Sequence, residues 1–351
     1  MSYTNGLDNP ELYFQTKLFS GNGSTQSITL DGSEDMQPDW VWFKNRSASA
    51  GGKIYDSVRG VQKVLSSNET DAESTTSAGL TAFGTDGFSV GSYSDINGSG
   101  NNIVAWNWKA SGTSISNSSG SNGATLASAG IKNDTAGISI VTYTGDGNAR
   151  TVFHGLSSCD MVFHKCLNNA ENWGVQHKDI GAAYQLQLDT NIAKVDKSGN
   201  GSMALPAANV FSVNNSGQWG AARNYIAYAF RSVKGYSFIG SYTGNGASDG
   251  DGTFSFCGFK PAWVMIKRTD STANWQIWDS KRLGYNPDNN ALYPNLSNTE
   301  DTSNTIDFLS NGFKQRGSGH SNYNASGANY IFMAFAENPF VTSTGVPATA
   351  R

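Results

Sequence analysis

The chain has 351 residues, a net charge of −4 and only 15% charged residues, against ~25% in an average globular chain. Without a basic excess to neutralise phosphates, no nucleic-acid partner is expected. No apolar run approaches the ~18 residues of a membrane-spanning helix, so no membrane insertion is expected. The 9 Trp, 14 Tyr and 18 Phe argue against disorder, since so many rings need burial.

In chain order, residues 1–12 read as a polar N-terminal arm. Met1–Glu11 has neither the basic start nor the apolar centre of a secretory signal, so synthesis in a cytoplasm is expected. The polar, weakly charged and aromatic composition is nonetheless that of an extracellular or virion β-protein. A particle released by lysis reconciles the two.

Residues 13–110 contain four blocks that set a pattern. They are Phe19-Ser20-Gly21-Asn22-Gly23, Trp40-Val41-Trp42-Phe43-Lys44, Ile54-Tyr55-Asp56-Ser57-Val58-Arg59 and Asn102-Ile103-Val104-Ala105-Trp106-Asn107-Trp108. Residues 111–135 follow as a Gly/Ser-rich connector with the composition of a flexible linker.

Residues 136–235 repeat the pattern. Tyr143-Thr144-Gly145-Asp146-Gly147, Met161-Val162-Phe163-His164-Lys165 and Asn224-Tyr225-Ile226-Ala227-Tyr228-Ala229-Phe230 match three blocks. Val175-Gln176-His177-Lys178-Asp179 is a degenerate copy of the remaining one. Residues 236–340 repeat it again, with Tyr242-Thr243-Gly244-Asn245-Gly246, Trp263-Val264-Met265-Ile266-Lys267, Ile277-Trp278-Asp279-Ser280-Lys281-Arg282 and Asn329-Tyr330-Ile331-Phe332-Met333-Ala334-Phe335. Residues 341–351 form a C-terminal tail. The blocks recur after about 122 and then about 102 residues, always in the same order. The longer first interval places the extra residues in the connector.

The second and fourth blocks are continuous apolar runs, which suit central strands covered on both faces. Asn-Gly pairs between blocks favour two-residue turns that join antiparallel strands. The expected fold is therefore all-β, with three tandem antiparallel β-sandwich domains of jelly-roll or lectin-like type. Each should carry its own core, so 236–340 is expected to fold alone.

The third repeat also resembles a known group. Tyr242–Gly246, the run Gly258-Phe259-Lys260-Pro261-Ala262-Trp263-Val264-Met265-Ile266-Lys267-Arg268-Thr269-Asp270, Asp307-Phe308-Leu309-Ser310-Asn311-Gly312-Phe313-Lys314 and Tyr330–Phe335 resemble a domain of unknown function. That domain occurs in tandem in virion proteins of marine bacteriophages, often called tail or fibre proteins. The resemblance covers 236–340 well, 136–232 fairly and 13–110 more weakly. It implies a particle component and brings no catalytic or binding residues with it.

Asp56, Asp179 and Asp279 sit near matched places and invite comparison with the carboxylate pair of a glycosidase. An acid beside Arg59 or Arg282 reads better as a fold-supporting ion pair or a turn. Asp249 and Asp251 offer oxygens in a glycine loop, far from the spacing of a calcium loop. His154, Cys159, His164, Cys166 and His177 gather in the second repeat without zinc spacing. His164 aligns with the core positions Phe43 and Ile266, so a buried strand residue is expected. Asn45-Arg46-Ser47 and Asn68-Glu69-Thr70 are glycosylation sequons by pattern only. No Gly-x-Ser-x-Gly elbow opens a helix, and the Gly-Asn-Gly and Gly-Asp-Gly triplets lack the strand-to-helix context and the lysine of a phosphate loop and read as hairpin turns. Most tryptophans recur on strands and are read as core. Trp219, flanked by glycines in Ser216-Gly217-Gln218-Trp219-Gly220, is the best candidate for an exposed glycan contact.

These readings lead to a structural component of a bacteriophage particle, located in the virion, without enzymatic activity, metal or cofactor. A tail fibre or tail appendage engaged in host attachment is favoured. A capsid decoration or head fibre and a secreted carbohydrate-binding array are the alternatives. The expected partners are other virion proteins, further copies in a homo-oligomer and a host-surface glycan. Ile115 and Leu126 are almost the only large apolar residues in the connector. Ordering its backbone costs roughly 1–2 kcal/mol per residue, so the arm and connector are expected to lie against partners.

Overall fold

The four recurring blocks lie in, or at the end of, four adjacent strands of one sheet, three times over. The computed structural model describes residues 7–201, 203, 205, 209–247, 251–287, 290–303, 305–316 and 320–349. In the first repeat the spatial order is Phe14–Ser20, Asn102–Trp108, Trp40–Asn45, Lys53–Asp56, continued by Lys63–Ser66 and Ser74–Thr75. In the second it is Ile138–Thr144, Asn224–Phe230, Met161–Cys166, Gly174–His177, continued by Tyr184–Gln187 and Val195–Asp196. In the third it is Ser237–Thr243, Asn329–Pro339, Phe259–Arg268, Gln276–Asp279. All these neighbours pair antiparallel. Strands make up 43% of the described residues and helix 3%, so the protein is all-β.

Each large sheet is faced by a small one. The small sheets are Gln26–Ile28 with Gly87–Val90 and Leu80–Gly84, Arg150–Phe153 with Val210–Val213, and Phe254–Phe256 with Gly312–Gln315 and Ile306–Leu309. Three separate cores fill these sandwiches. Successive strand residues point to opposite faces, so Val41 and Phe43 enter the first of these cores. Trp40 and Trp42 point the other way.

That other way leads to a core shared by all three repeats. Trp40, Trp42, Trp106 and Trp108 meet Met161, Phe163, Tyr228 and Phe230, together with Trp263, Met265, Met333 and Phe335. Trp40 stacks on Tyr228 with centroids 5.0 Å apart, Phe230 meets Phe335 at 6.1 Å, and Trp263 meets Trp108 at 5.6 Å. First touches second, second touches third, and third touches first. The continuous apolar runs thus have two cores to serve. The expected self-sufficient unit 236–340 has one of its two apolar faces covered by the other repeats.

Main-chain hydrogen bonds close the same cycle at matched positions. Glu73 N–H donates to the Leu167 carbonyl and Glu171 N–H to that of Thr70, both at 2.9 Å. Lys194 N–H donates to Thr269 at 2.9 Å and Ala273 N–H to Asn191 at 2.8 Å. Glu300 N–H donates to Arg46 at 3.2 Å and Ala50 N–H to Ser297 at 2.9 Å. The three junctions share this main-chain pattern, as in a pseudo-threefold ring.

Two local expectations are corrected. The segment read as a flexible connector contains the strands Thr113–Asn117 and Ser128–Asn133, which pair with each other. The latter adds to the free edge of Ile138–Thr144. Ile115 and Leu126 enter the second repeat's own core, so the contacts that order this segment come from the chain itself. The Gly-Asn-Gly and Gly-Asp-Gly triplets are not hairpin turns either, since the chain there passes from the large sheet to the small one. A Cβ on Gly21, Gly145 or Gly244 would stand 2.2–2.3 Å from a carbonyl oxygen of the facing loop, Gly98, Ala221 or Ala325. Only glycine permits that approach. Of the Asn-Gly pairs, Asn311-Gly312 joins two paired strands.

Candidate functional site

The matched acids sit where the repeats meet. Asp56 is wholly buried and accepts from Arg59 N–H at 2.8 Å through Oδ1. Its Oδ2 accepts from Arg59 Nε and, at 2.7 Å, from the Tyr228 hydroxyl of the second repeat. Asp279, equally buried, accepts from the Arg282 main chain and, at 2.6 Å, from Arg282 Nε. It also accepts from Trp106 Nε1 of the first repeat at 2.9 Å. Arg59 continues to Glu73 and Arg282 to Glu300. These carboxylates have their lone pairs engaged and no path to solvent. They act as struts between repeats.

The third junction has lost both partners at once. Strand register places Asp56 opposite Trp40, Asp279 opposite Trp263 and His177 opposite Met161. The true counterpart of the two acids is therefore His177, not Asp179. The donor position held by Trp106 and Tyr228 is Met333 in the third repeat. Where the acceptor is no longer an acid, the donor is no longer polar. Burial pushes the His177 pKa down to about 3, which keeps the ring neutral. Its Nδ1 accepts from Asp179 N–H at 3.1 Å. Asp179 itself is a partly exposed turn residue.

Three lysines complete the pattern, and the sequence reading gave them no role. Lys44, Lys165 and Lys267 end the second block in each repeat and are buried. Lys44 Nζ donates to the Ala50 carbonyl at 2.7 Å and across the junction to Leu296 at 2.6 Å. Lys165 Nζ donates to Glu171 and across to Thr70 at 2.7 Å. Lys267 Nζ donates to Arg268 at 2.8 Å and across to Asn191 at 3.4 Å. Burial lowers their pKa values to about 7, about 8 and about 7. The signal is in the sequence: a lysine recurs at the same place in three blocks that are otherwise apolar but for His164.

Trp219 is not an exposed aromatic. It is wholly buried. Its Nε1 donates to Gln185 Oε1 at 2.5 Å, and its ring lies on His164 with centroids 3.9 Å apart. Gly220, which suggested an open loop, instead makes room for close packing, and so does Gly174 of the strand Gly174–His177. A Cβ on Gly174 would meet the indole at 2.4 Å, and one on Gly220 would meet the Asn214 carbonyl at 2.1 Å. The glycan-contact assignment to Trp219 is therefore withdrawn.

His164 is buried as expected from its alignment, with Nε2 2.6 Å from the Tyr143 hydroxyl. Burial drives its pKa well down. Cys159, Cys166 and Cys257 are free and buried. Among the described residues, no group of three His, Cys, Asp or Glu is placed to hold a metal ion. Asp249 lies outside the described residues, and Asp251 is exposed.

The surface offers two clefts, the first with mainly polar walls. One of about 740 Å³ lies between the start of the first repeat and the end of the third, with Asp8, Glu11, Asp31, Lys281 and Glu337 among its walls. Asp8 accepts from Ser343, Glu11 from Ser33 N–H, Asp31 faces Lys17 and Lys281, and Glu337 pairs with Lys260. A second groove of about 650 Å³ runs over Ser116–Ser118, Ala127–Ala129 and Thr142–Thr144.

These features define an all-β protein of three interlocked repeats, with matched buried polar groups at the junctions. The chain belongs to the family described as a domain of unknown function, DUF7483, whose pattern matches residues 9–339. That single match runs through all three repeats. No curated protein and no solved structure matches the chain.

Proposed function

We propose that the protein is a structural component of a bacteriophage particle, a tail fibre or tail appendage that contributes to host attachment and acts by binding rather than turnover. The observation that carries this reading is the use of Asp56 and Asp279. The two acids best matched between repeats are bonded across junctions, a use that favours rigidity over chemistry. The resemblance to tandem virion proteins points the same way. A weakly charged β-body with a shared core suits a particle part that must survive outside a cell. Other virion proteins are its partners in this reading.

The test is to label purified phage particles with antibody against the chain and image them. Discrete label on tails, with purified chain slowing adsorption to host cells, is the expected result. Particles that lack the chain by mass spectrometry would overturn the proposal, and label confined to heads would shift it to capsid decoration.

A further inference from the structure

The small sheet of the third repeat ends in an edge strand with two exposed phenylalanines. Phe254 is 44% exposed and Phe256 58%, on either side of buried Ser255. Among the described residues, this strand pairs only with Gly312–Gln315. Among the described residues its other edge has no partner strand.

The other repeats provide an internal comparison. Register sets Ile28, Val152 and Ser255 opposite Phe88, Phe211 and Phe313. The outward positions are therefore Ser27 and Thr29, then Thr151 and Phe153, then Phe254 and Phe256. In the first repeat these positions are hydroxyl residues and exposed. In the second they are half-buried, because the preceding chain lies along the same edge. Thr125 and Leu126 N–H both donate to the Thr151 carbonyl at 3.0 Å, and Thr151 N–H donates to Thr125 Oγ1 at 2.9 Å. Leu126 bridges Val152 in the parallel sense. The edge that is open and hydrophilic in one repeat is thus covered in the next, where it carries a phenylalanine. In the third repeat it carries two and, among the described residues, is uncovered.

We propose that the Phe254–Phe256 edge is a docking site for an extended segment of another protein chain. The segment adds parallel to this strand, as Thr125–Leu126 adds beside Thr151–Val152. It carries an aliphatic residue in the place of Leu126, with small or hydroxyl residues around it. Main-chain hydrogen bonds to the open edge supply affinity and the outward rings supply selectivity, as in strand addition generally. This goes beyond the reading as a particle component and does not depend on it.

The test uses a fluorescent peptide of residues 121–130, the chain's own covering segment, titrated onto the full-length protein. Saturable binding is expected, with amide exchange slowed at 254–256. The double variant Phe254→Ser, Phe256→Thr takes the residue types of the first repeat at these exposed positions. It should keep its thermal midpoint and bind at least ~10-fold more weakly, a loss of about 1.4 kcal/mol. No saturable binding up to millimolar peptide would overturn the proposal. So would equal binding by the double variant, or exchange slowed at 150–153 instead of 254–256. Self-association of the full chain that the double variant abolishes would give the edge to a second copy and overturn the assignment to a different chain.

Discussion

Asp279 shows how much one buried residue is asked to hold. Removing its carboxylate would leave the Arg282 guanidinium buried without that partner and strip Trp106 Nε1 of its acceptor. Breaking such a buried pair costs about 3–5 kcal/mol. Asp279→Ala is therefore expected to lower unfolding stability by about that much in a urea titration, and a loss under about 1 kcal/mol would contradict the strut role. The lysines set the pH response. Their folded pKa values of about 7 to 8 lie below the ordinary 10.5 of an unfolded lysine. Between those limits the unfolded chain binds more protons, so stability rises with pH. Below about pH 7 the cost of burying the charges is present in full. Denaturation midpoints should climb from pH 7 to about 9, above which the buried Cys159 and Cys257 thiols and buried tyrosines such as Tyr143 and Tyr228, all raised by burial, oppose the rise, and Lys267→Met should flatten the climb. An unchanged slope in that variant would count against a buried, proton-shedding amine.

At the scale of elements, recurrence made the strands legible. The four blocks became four strands in one order, because an apolar run buried on both faces leaves a strong trace in sequence. Composition misled where burial depended on distant partners. The Ser/Gly segment 111–135 reads as a linker, yet Gly130 is what lets its second strand lie close. A Cβ there would meet the Ile140 carbonyl at 1.9 Å. Trp219 looked exposed because its glycines were read as openness, and nothing local revealed that Gln185 waited for its indole. His177 was missed as the counterpart of Asp56 because an acid was sought, and Asp179 stood two residues away. The covering segment also yields a test. Leu126, 8% exposed in the second repeat's core, should cost about 2–3 kcal/mol on truncation to Ala, at the lower end for a buried leucine. Faster amide exchange at Thr151 and Phe153 should accompany that loss. Wild-type exchange there after the substitution would show that the segment does not shield the edge.

The whole molecule is a cycle in which each repeat covers the next. The shared core, six matched main-chain hydrogen bonds and three matched lysines make every junction a condition for the other two. A unit cut at 236–340 would expose Trp263, Met265, Met333 and Phe335, all 2% exposed or less in the full chain. Independent folding of that fragment, natural for tandem sandwiches, is not expected for an interlocked ring. Calorimetry of the full chain is the most direct test. One transition is expected, with a van't Hoff enthalpy equal to the calorimetric enthalpy, and no cooperative transition in the isolated fragment 236–340. Two or three resolved transitions in the full chain, or a fragment that unfolds cooperatively at the same temperature as the whole, would contradict the interlocked ring.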